Sequence, residues 1–261
     1  MKYGITENRF TLGKIVATGA REFRANLWSI LFIFLIVYLP INYALSYISV
    51  DWSEGPSGIR DYLRISLLCE NLFGVLATMS LAFLVEASLK GTPLTPAQAL
   101  GRALSRWPAA LLTAILSAAI LLALCCLLII PGIIWSVYYV FVIYAVALRE
   151  KIGLDALRYS KALVKGHWWG IAGCFIFIEV LRLLTMLLLA FISALLGPEE
   201  SRLFELLSDT ATDISSAPFI AMIIVLFLNR DALAHSGAPQ EEPAPGLPAS
   251  SNQAPDIIEP R

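Results

Sequence analysis

The chain has 261 residues, of which 58% are hydrophobic and only 15% charged, and its mean hydropathy is +0.74. Soluble domains carry about a quarter charged residues, so a water-soluble globule and a disordered chain are both excluded. Lys and Arg number 19 against 20 Asp and Glu, which leaves no basic excess for nucleic acid, and four cysteines in apolar surroundings do not describe a disulfide scaffold. The composition is that of an integral membrane protein.

Residues 1–26 are polar and charged and lack the apolar stretch and cleavage site of a signal peptide. Leu12, Ile15, Val16 and Phe23 of this segment, with Leu27 just beyond it, fall on one helical face, which predicts a cytoplasmic amphipathic segment. A helix needs about 20 apolar residues to cross a hydrocarbon core about 30 Å thick. Stretches of that kind cover 27–49, 63–89, 107–148, 169–196 and 210–229. The third, at 1.5 Å per residue, would reach about 63 Å. It therefore folds back at Pro131-Gly132 into spans 107–130 and 133–148. The expectation is an all-α polytopic membrane protein with six transmembrane helices arranged as three hairpins. From Asp231 onward, prolines recur among Ala, Ser and Glu, and 231–261 is expected to be a disordered cytoplasmic tail.

Six spans place both termini on one side, and the connections on that side hold 15 of the 19 basic residues. The opposite connections carry Asp51, Glu54, Asp61, Glu199, Glu200, Glu205, Asp209 and Asp213 instead. Both termini are therefore expected in the cytoplasm. Trp28, Trp107, Trp168 and Trp169 fall at the inner edges of this scheme and Trp52 and Trp135 at the outer edge, the headgroup levels that indoles favour. The first span would serve as an uncleaved anchor.

Three cytoplasmic segments share one plan: a short amphipathic stretch, basic residues, then Trp. They run FTLGKIVATGAREFRANLW, PAQALGRALSRW and LDALRYSKALVKGHWW. Read as interfacial helices, they point Arg21, Arg24, Arg102, Arg106, Arg158, Lys161 and Lys165 at anionic lipid headgroups. Membrane lipids are the expected partners, and the unit of interfacial helix plus hairpin would be used three times in parallel. Rows of small residues at Ala110, Ala114 and Ala118, and at Gly166, Gly170 and Cys174, read as helix contacts. Pro40 and Pro218 lie within spans and predict kinks. Cys69, Cys125, Cys126 and Cys174 read as packing residues.

Four ionisable residues stand out within the spans. Glu86 stands four residues before Lys90 near a span end and should pair with it. Glu179 and Arg182 lie about 15 and 20 Å into the fifth span and 60° apart on one face. Glu70, on the second span, would join them if the two helices pack. The sequence thus predicts an intramembrane cluster of Glu179, Arg182 and Glu70, either a neutralised helix contact or a site for an ion, a proton or a headgroup.

No catalytic residue, metal-ligand set or cofactor motif is apparent, and no enzyme activity is expected. Gly55-Pro56-Ser57-Gly58 imitates an intramembrane protease motif but falls in a polar loop with no histidine base among the spans. His167 reads as an interfacial residue.

The segment from Pro131 to Trp169, with Pro131, Gly132, Glu150, Gly153, Ala156, Leu157, Ser160, Lys165, Gly166 and Trp168, resembles the YciC-like bacterial inner-membrane proteins. It also resembles the membrane domain attached to some glycerophosphodiester phosphodiesterases. The resemblance implies a bacterial inner-membrane location and a six-helix fold, and brings no catalytic residues. Only about thirty residues of this sequence follow the expected spans, so phosphodiesterase activity is not expected to transfer. The function expected is a non-enzymatic scaffold or lipid-interacting envelope protein; the alternative is a small-solute or ion transporter or channel built on the Glu/Arg cluster.

Overall fold

Backbone inside a bilayer must bond to itself, and the described residues do so with helix. The computed structural model describes residues 12–46, 56–196 and 202–236, and no strand occurs among them. Short α1 (Leu12–Ala25) precedes α2 (Leu27–Leu45), α3 (Pro56–Lys90) and α4 (Pro96–Leu127). Three short helices follow: α5 (Ile129–Tyr138), α6 (Val142–Arg149) and α7 (Leu154–Val164). Long α8 (Trp168–Leu196) and α9 (Arg202–Ser236) complete the bundle. Six stretches are long and apolar enough to cross a membrane: 27–45, 72–90, 96–127, 129–149, 168–195 and 206–235. The all-α six-span class is therefore as expected. Residues 47–49 of the first expected span, and Trp52, lie outside the described residues.

Several boundaries differ, each for a local reason. α4 begins at Pro96, eleven residues before the expected 107. The Thr95 hydroxyl accepts from the Gln98 backbone N–H at 3.2 Å, and the Gln98 side chain accepts from the Thr95 N–H at 3.0 Å. This capping box, with Pro96 as first helical residue, starts the helix there. PAQALGRALSRW is thus the first three turns of a 32-residue helix and not a separate interfacial element.

The reversal expected at Pro131-Gly132 occurs earlier, at Leu128, whose backbone is extended. Pro131 falls in the first turn of α5, where its missing N–H forfeits no helical bond. Gly132 lets α5 lie close on α4, since a Cβ there would stand 3.2 Å from Cys125 Cα.

The expected single span 133–148 is two helices broken at Tyr139–Phe141. The break is bridged from α7: the Ser160 hydroxyl donates to the Tyr138 carbonyl at 2.7 Å and accepts from the Phe141 N–H at 3.2 Å. One buried hydroxyl thus satisfies two backbone groups that the kink would orphan. Ser160→Ala should therefore lower stability by about 1–3 kcal/mol, read as a drop in thermal midpoint in detergent; an unchanged midpoint would show that the kink needs no bridge.

α1 and α7 do present apolar faces, but they bury those faces in protein. Ile15, Gly19 and Glu22 of α1 are buried, with α9 and α3 packed against that helix. A Cβ on Gly19 would stand 2.7 Å from the Cα of Met222, so α1 meets α9 backbone to backbone. α7 buries Ala156, Leu157, Leu163 and Val164 against α5, α6 and α9. An apolar face gains as much from a groove between helices as from an acyl boundary.

α9 lies at the centre, touching α1, α2, α3, α7 and α8, and every residue from 221 to 229 is buried. α4 and α8 are peripheral and expose Leu112, Ile115, Leu122, Leu184 and Leu188. That surface suits acyl chains. α9 also extends past the expected span end to Ser236, so the expected tail cannot begin at Asp231; residues 237–261 lie outside the described residues.

Candidate functional site

The densest polar constellation gathers where α3, α6, α7 and α9 converge, around Arg149. As the last residue of α6, Arg149 donates from Nε to the Asp231 carboxylate at 2.9 Å and from Nη1 to Glu86 Oε1 at 2.8 Å. Lys90 also donates to Glu86, at 2.9 Å, so the expected Glu86–Lys90 pair is present with Arg149 as a further partner. The Tyr159 hydroxyl of α7 donates to the other Asp231 oxygen. Asp231 is 5% exposed. A carboxylate so enclosed is tolerable because two partners neutralise and bond it. Burial, and then the bond to Asp231, push the Tyr159 phenol above its ordinary pKa, so it remains a donor well into alkaline solution.

Beside this junction the chain turns sharply. Glu150 closes α6 in the left-handed region, at φ 55°. Its carboxylate receives Arg106 of α4, which also donates to the Ala147 carbonyl. Gly153, at φ 58° and ψ −129°, takes a conformation closed to residues with a side chain, and its N–H donates to the Thr113 hydroxyl at 2.9 Å. The junction therefore ties four helices together.

The cations expected to meet lipid divide into two groups. Arg24, Arg102, Arg158 and Lys165 are exposed, and Arg158 lies 3.5 Å from Asp155. Arg21 is half exposed and 3.5 Å from Glu22; the Glu22 carboxylate accepts from Ser88 of α3 at 2.7 Å. Arg106, by contrast, is committed to Glu150. Lys161 stands 4.2 Å over the Trp135 ring, as a cation–π contact. That contact revises the tryptophan scheme, because it sets Trp135 beside a residue assigned to the opposite edge. The Trp107 indole donates to the Leu72 carbonyl at 2.8 Å and its ring stacks on Phe73. Trp28 and Trp169 are 82% and 83% exposed near the starts of α2 and α8.

Glu179 and Arg182 do pair, at 2.7 Å. Their side chains are 29% and 41% exposed, so the pair lies open on a peripheral helix and not in a sealed cluster. Glu70 sits on α3, and its side chain is outside the described residues. The helices packed closely on α8 are α9 and α5, and α3 is not among them.

One feature escaped the sequence reading altogether. An apolar cavity of about 530 Å³ opens between α2, α3 and α4, lined by Ile36, Pro40 and Ile41, by Cys69 and Phe73, and by Leu104, among others. No charged residue contributes to its wall. Its signal is diffuse, since the lining is drawn from three helices and consists of residue types found throughout the chain.

The fold and these sites define a multi-pass helical membrane protein. The sequence model of the family described as a domain of unknown function (DUF7847) matches residues 27–236. The chain belongs to that family, and the match takes in α2 to α9 and leaves out α1. No curated protein and no solved structure matches the chain.

Proposed function

We propose that the protein is a non-enzymatic, lipid-interacting scaffold of a bacterial inner membrane, with both termini in the cytoplasm. The apolar cavity carries this reading. It lies among membrane-spanning helices, its volume is that of a small-molecule site, and its all-apolar wall suits an acyl chain better than a polar solute. Because bilayer lipid is already apolar, retention there rests on packing rather than on the hydrophobic effect. The exposed cations Arg24, Arg102, Arg158 and Lys165 add attraction for anionic headgroups. The charge asymmetry and the resemblance around Pro131–Trp169 support the location.

The test is to fill the cavity. Ala44 and Leu104 line it from exposed positions, so Ala44→Trp and Leu104→Trp should occupy it without crowding the core. Each variant is expected to copurify with about one phospholipid fewer per chain, by quantitative lipid mass spectrometry. Unchanged lipid would remove the cavity from the function. The second reading, passage of an ion or small solute, is favoured by the open Glu179–Arg182 pair midway along α8. Flux in proteoliposomes that Arg182→Ala abolishes would support it.

A further inference from the structure

The tip of the α4–α5 hairpin carries a surface unsuited to water. Leu127, Leu128, Ile129, Ile130 and Ile133 are 58–77% exposed, and residues 121–134 hold no charged or hydrogen-bonding side chain beyond the thiols of Cys125 and Cys126. The two other connections assigned to the outer side carry acids: Asp51, Glu54 and Asp61 in one, and Glu199, Glu200 and Glu205 in the other. A patch this apolar belongs against hydrocarbon or another apolar surface. Lipid-exposed backbone has to bond internally, and the turn keeps close to that rule. Leu128, its one non-helical residue, donates its N–H to the Leu124 carbonyl at 2.9 Å, and its own carbonyl accepts from the Gly132 N–H at 3.4 Å. Pro131 adds no donor.

Contacts along both legs set the depth of that tip. α4 is anchored at the edge of the bundle where the Arg149 junction lies: Arg106 holds Glu150, and the Gly153 N–H donates to the Thr113 hydroxyl at 2.9 Å. α5 is tied to the same edge. Lys161, two residues beyond the Tyr159 that bonds Asp231, stands 4.2 Å over the Trp135 ring, and the Trp168 indole donates to the Ile134 carbonyl at 3.2 Å. A lysine ammonium keeps to the aqueous edge of a bilayer. From Trp135 back to Ile129 is six residues, about 9 Å of helix, whereas a hydrocarbon core is about 30 Å thick. The stretches 96–127 and 129–149 are long enough to cross, yet the turn between them stops short of the middle. We infer that α4 and α5 form a hairpin embedded in one leaflet, on the α7 side, with its tip packed among lipid acyl chains. A hairpin that returns to the face it left changes the side of no later segment, so both termini still share one face. The inference rests on the bilayer location proposed above and not on the cavity between α2, α3 and α4, so the lipid count and the tip depth fail separately.

The test places a nitroxide on the full-length chain, with Cys69, Cys125, Cys126 and Cys174 changed to Ala, in vesicles of phosphatidylcholine and phosphatidylglycerol. Single cysteines enter at exposed positions: Ile130→Cys and Leu127→Cys on the tip, Ile115→Cys on α4, and Ile152→Cys in the turn after α6. At each label, collisions are measured with oxygen, which concentrates in hydrocarbon, and with a water-soluble nickel chelate. The tip labels are expected to meet nickel about tenfold less often than the Ile152→Cys label. They are also expected to meet oxygen more often than the Ile115→Cys label, two residues from Thr113. Nickel access at the tip equal to that of Ile152→Cys would put the turn in water. Oxygen access greater at Ile115→Cys than at the tip would mean that the hairpin crosses, and a tip closed to both reagents would mean that protein covers it. Any of these three results overturns the inference.

Discussion

Asp231→Ala is expected to destabilise the protein by about 3–5 kcal/mol, the usual cost of removing one partner from a buried ion pair. Arg149 keeps its charge, and Glu86, already shared with Lys90, cannot replace both bonds that Asp231 receives from it. Tyr159 loses its acceptor at the same time. Asp231→Asn, which keeps an acceptor of the same shape, should fall between parent and alanine variant. Combining Asp231→Ala with Arg149→Leu should recover part of the loss, because the orphaned charge goes with its partner. Thermal unfolding in detergent gives all four values. An alanine variant as stable as the parent would mean that the junction does not hold α3, α6, α7 and α9 together.

Gly19→Leu should release α1 from the bundle. The first side-chain carbon would already overlap the Met222 backbone, and a backbone cannot give way as the end of a flexible side chain can. The expected loss is about 2–3 kcal/mol, accompanied by rapid proteolysis within α1, where Arg21 and Arg24 offer trypsin sites. Gly13→Leu is the control, because nothing lies within 4 Å of a Cβ there. If both variants resist trypsin like the parent, α1 is not docked on α9.

The six spans were legible because a bilayer imposes a length and a composition on any helix that crosses it, and both can be counted along the chain. What hydropathy cannot report is the partner of a polar group. Asp231 follows an apolar run and precedes a proline-rich tail, so it reads as solvent-exposed; its burial depends on Arg149, 82 residues away in sequence. The amphipathic faces of α1 and α7 were visible, but periodicity cannot distinguish a lipid boundary from a groove between helices. The start of α4 was written in Thr95, Pro96 and Gln98, a local signal that the run of apolar residues from 107 overshadowed.

The segment Pro131 to Trp168 shows where sequence pattern and structure meet. Gly132 permits the approach of α5 to α4, Glu150 and Gly153 shape the turn out of α6, and Ser160 bridges the kink. Gly166, at φ 84°, turns the chain into α8, and the Trp168 indole donates to the Ile134 carbonyl at 3.2 Å. These residues build a corner of the fold. Of the candidate site, the Glu179–Arg182 pair was legible from its three-residue spacing. The cavity was not, since it exists only once α2, α3 and α4 are assembled.

The most direct test of a lipid-holding scaffold is an experimental density map of the protein in phospholipid nanodiscs. The account predicts an elongated acyl-chain density between Ile41, Phe73 and Leu104. A cavity closed by its own side chains, or occupied by a helix of another chain, would contradict it.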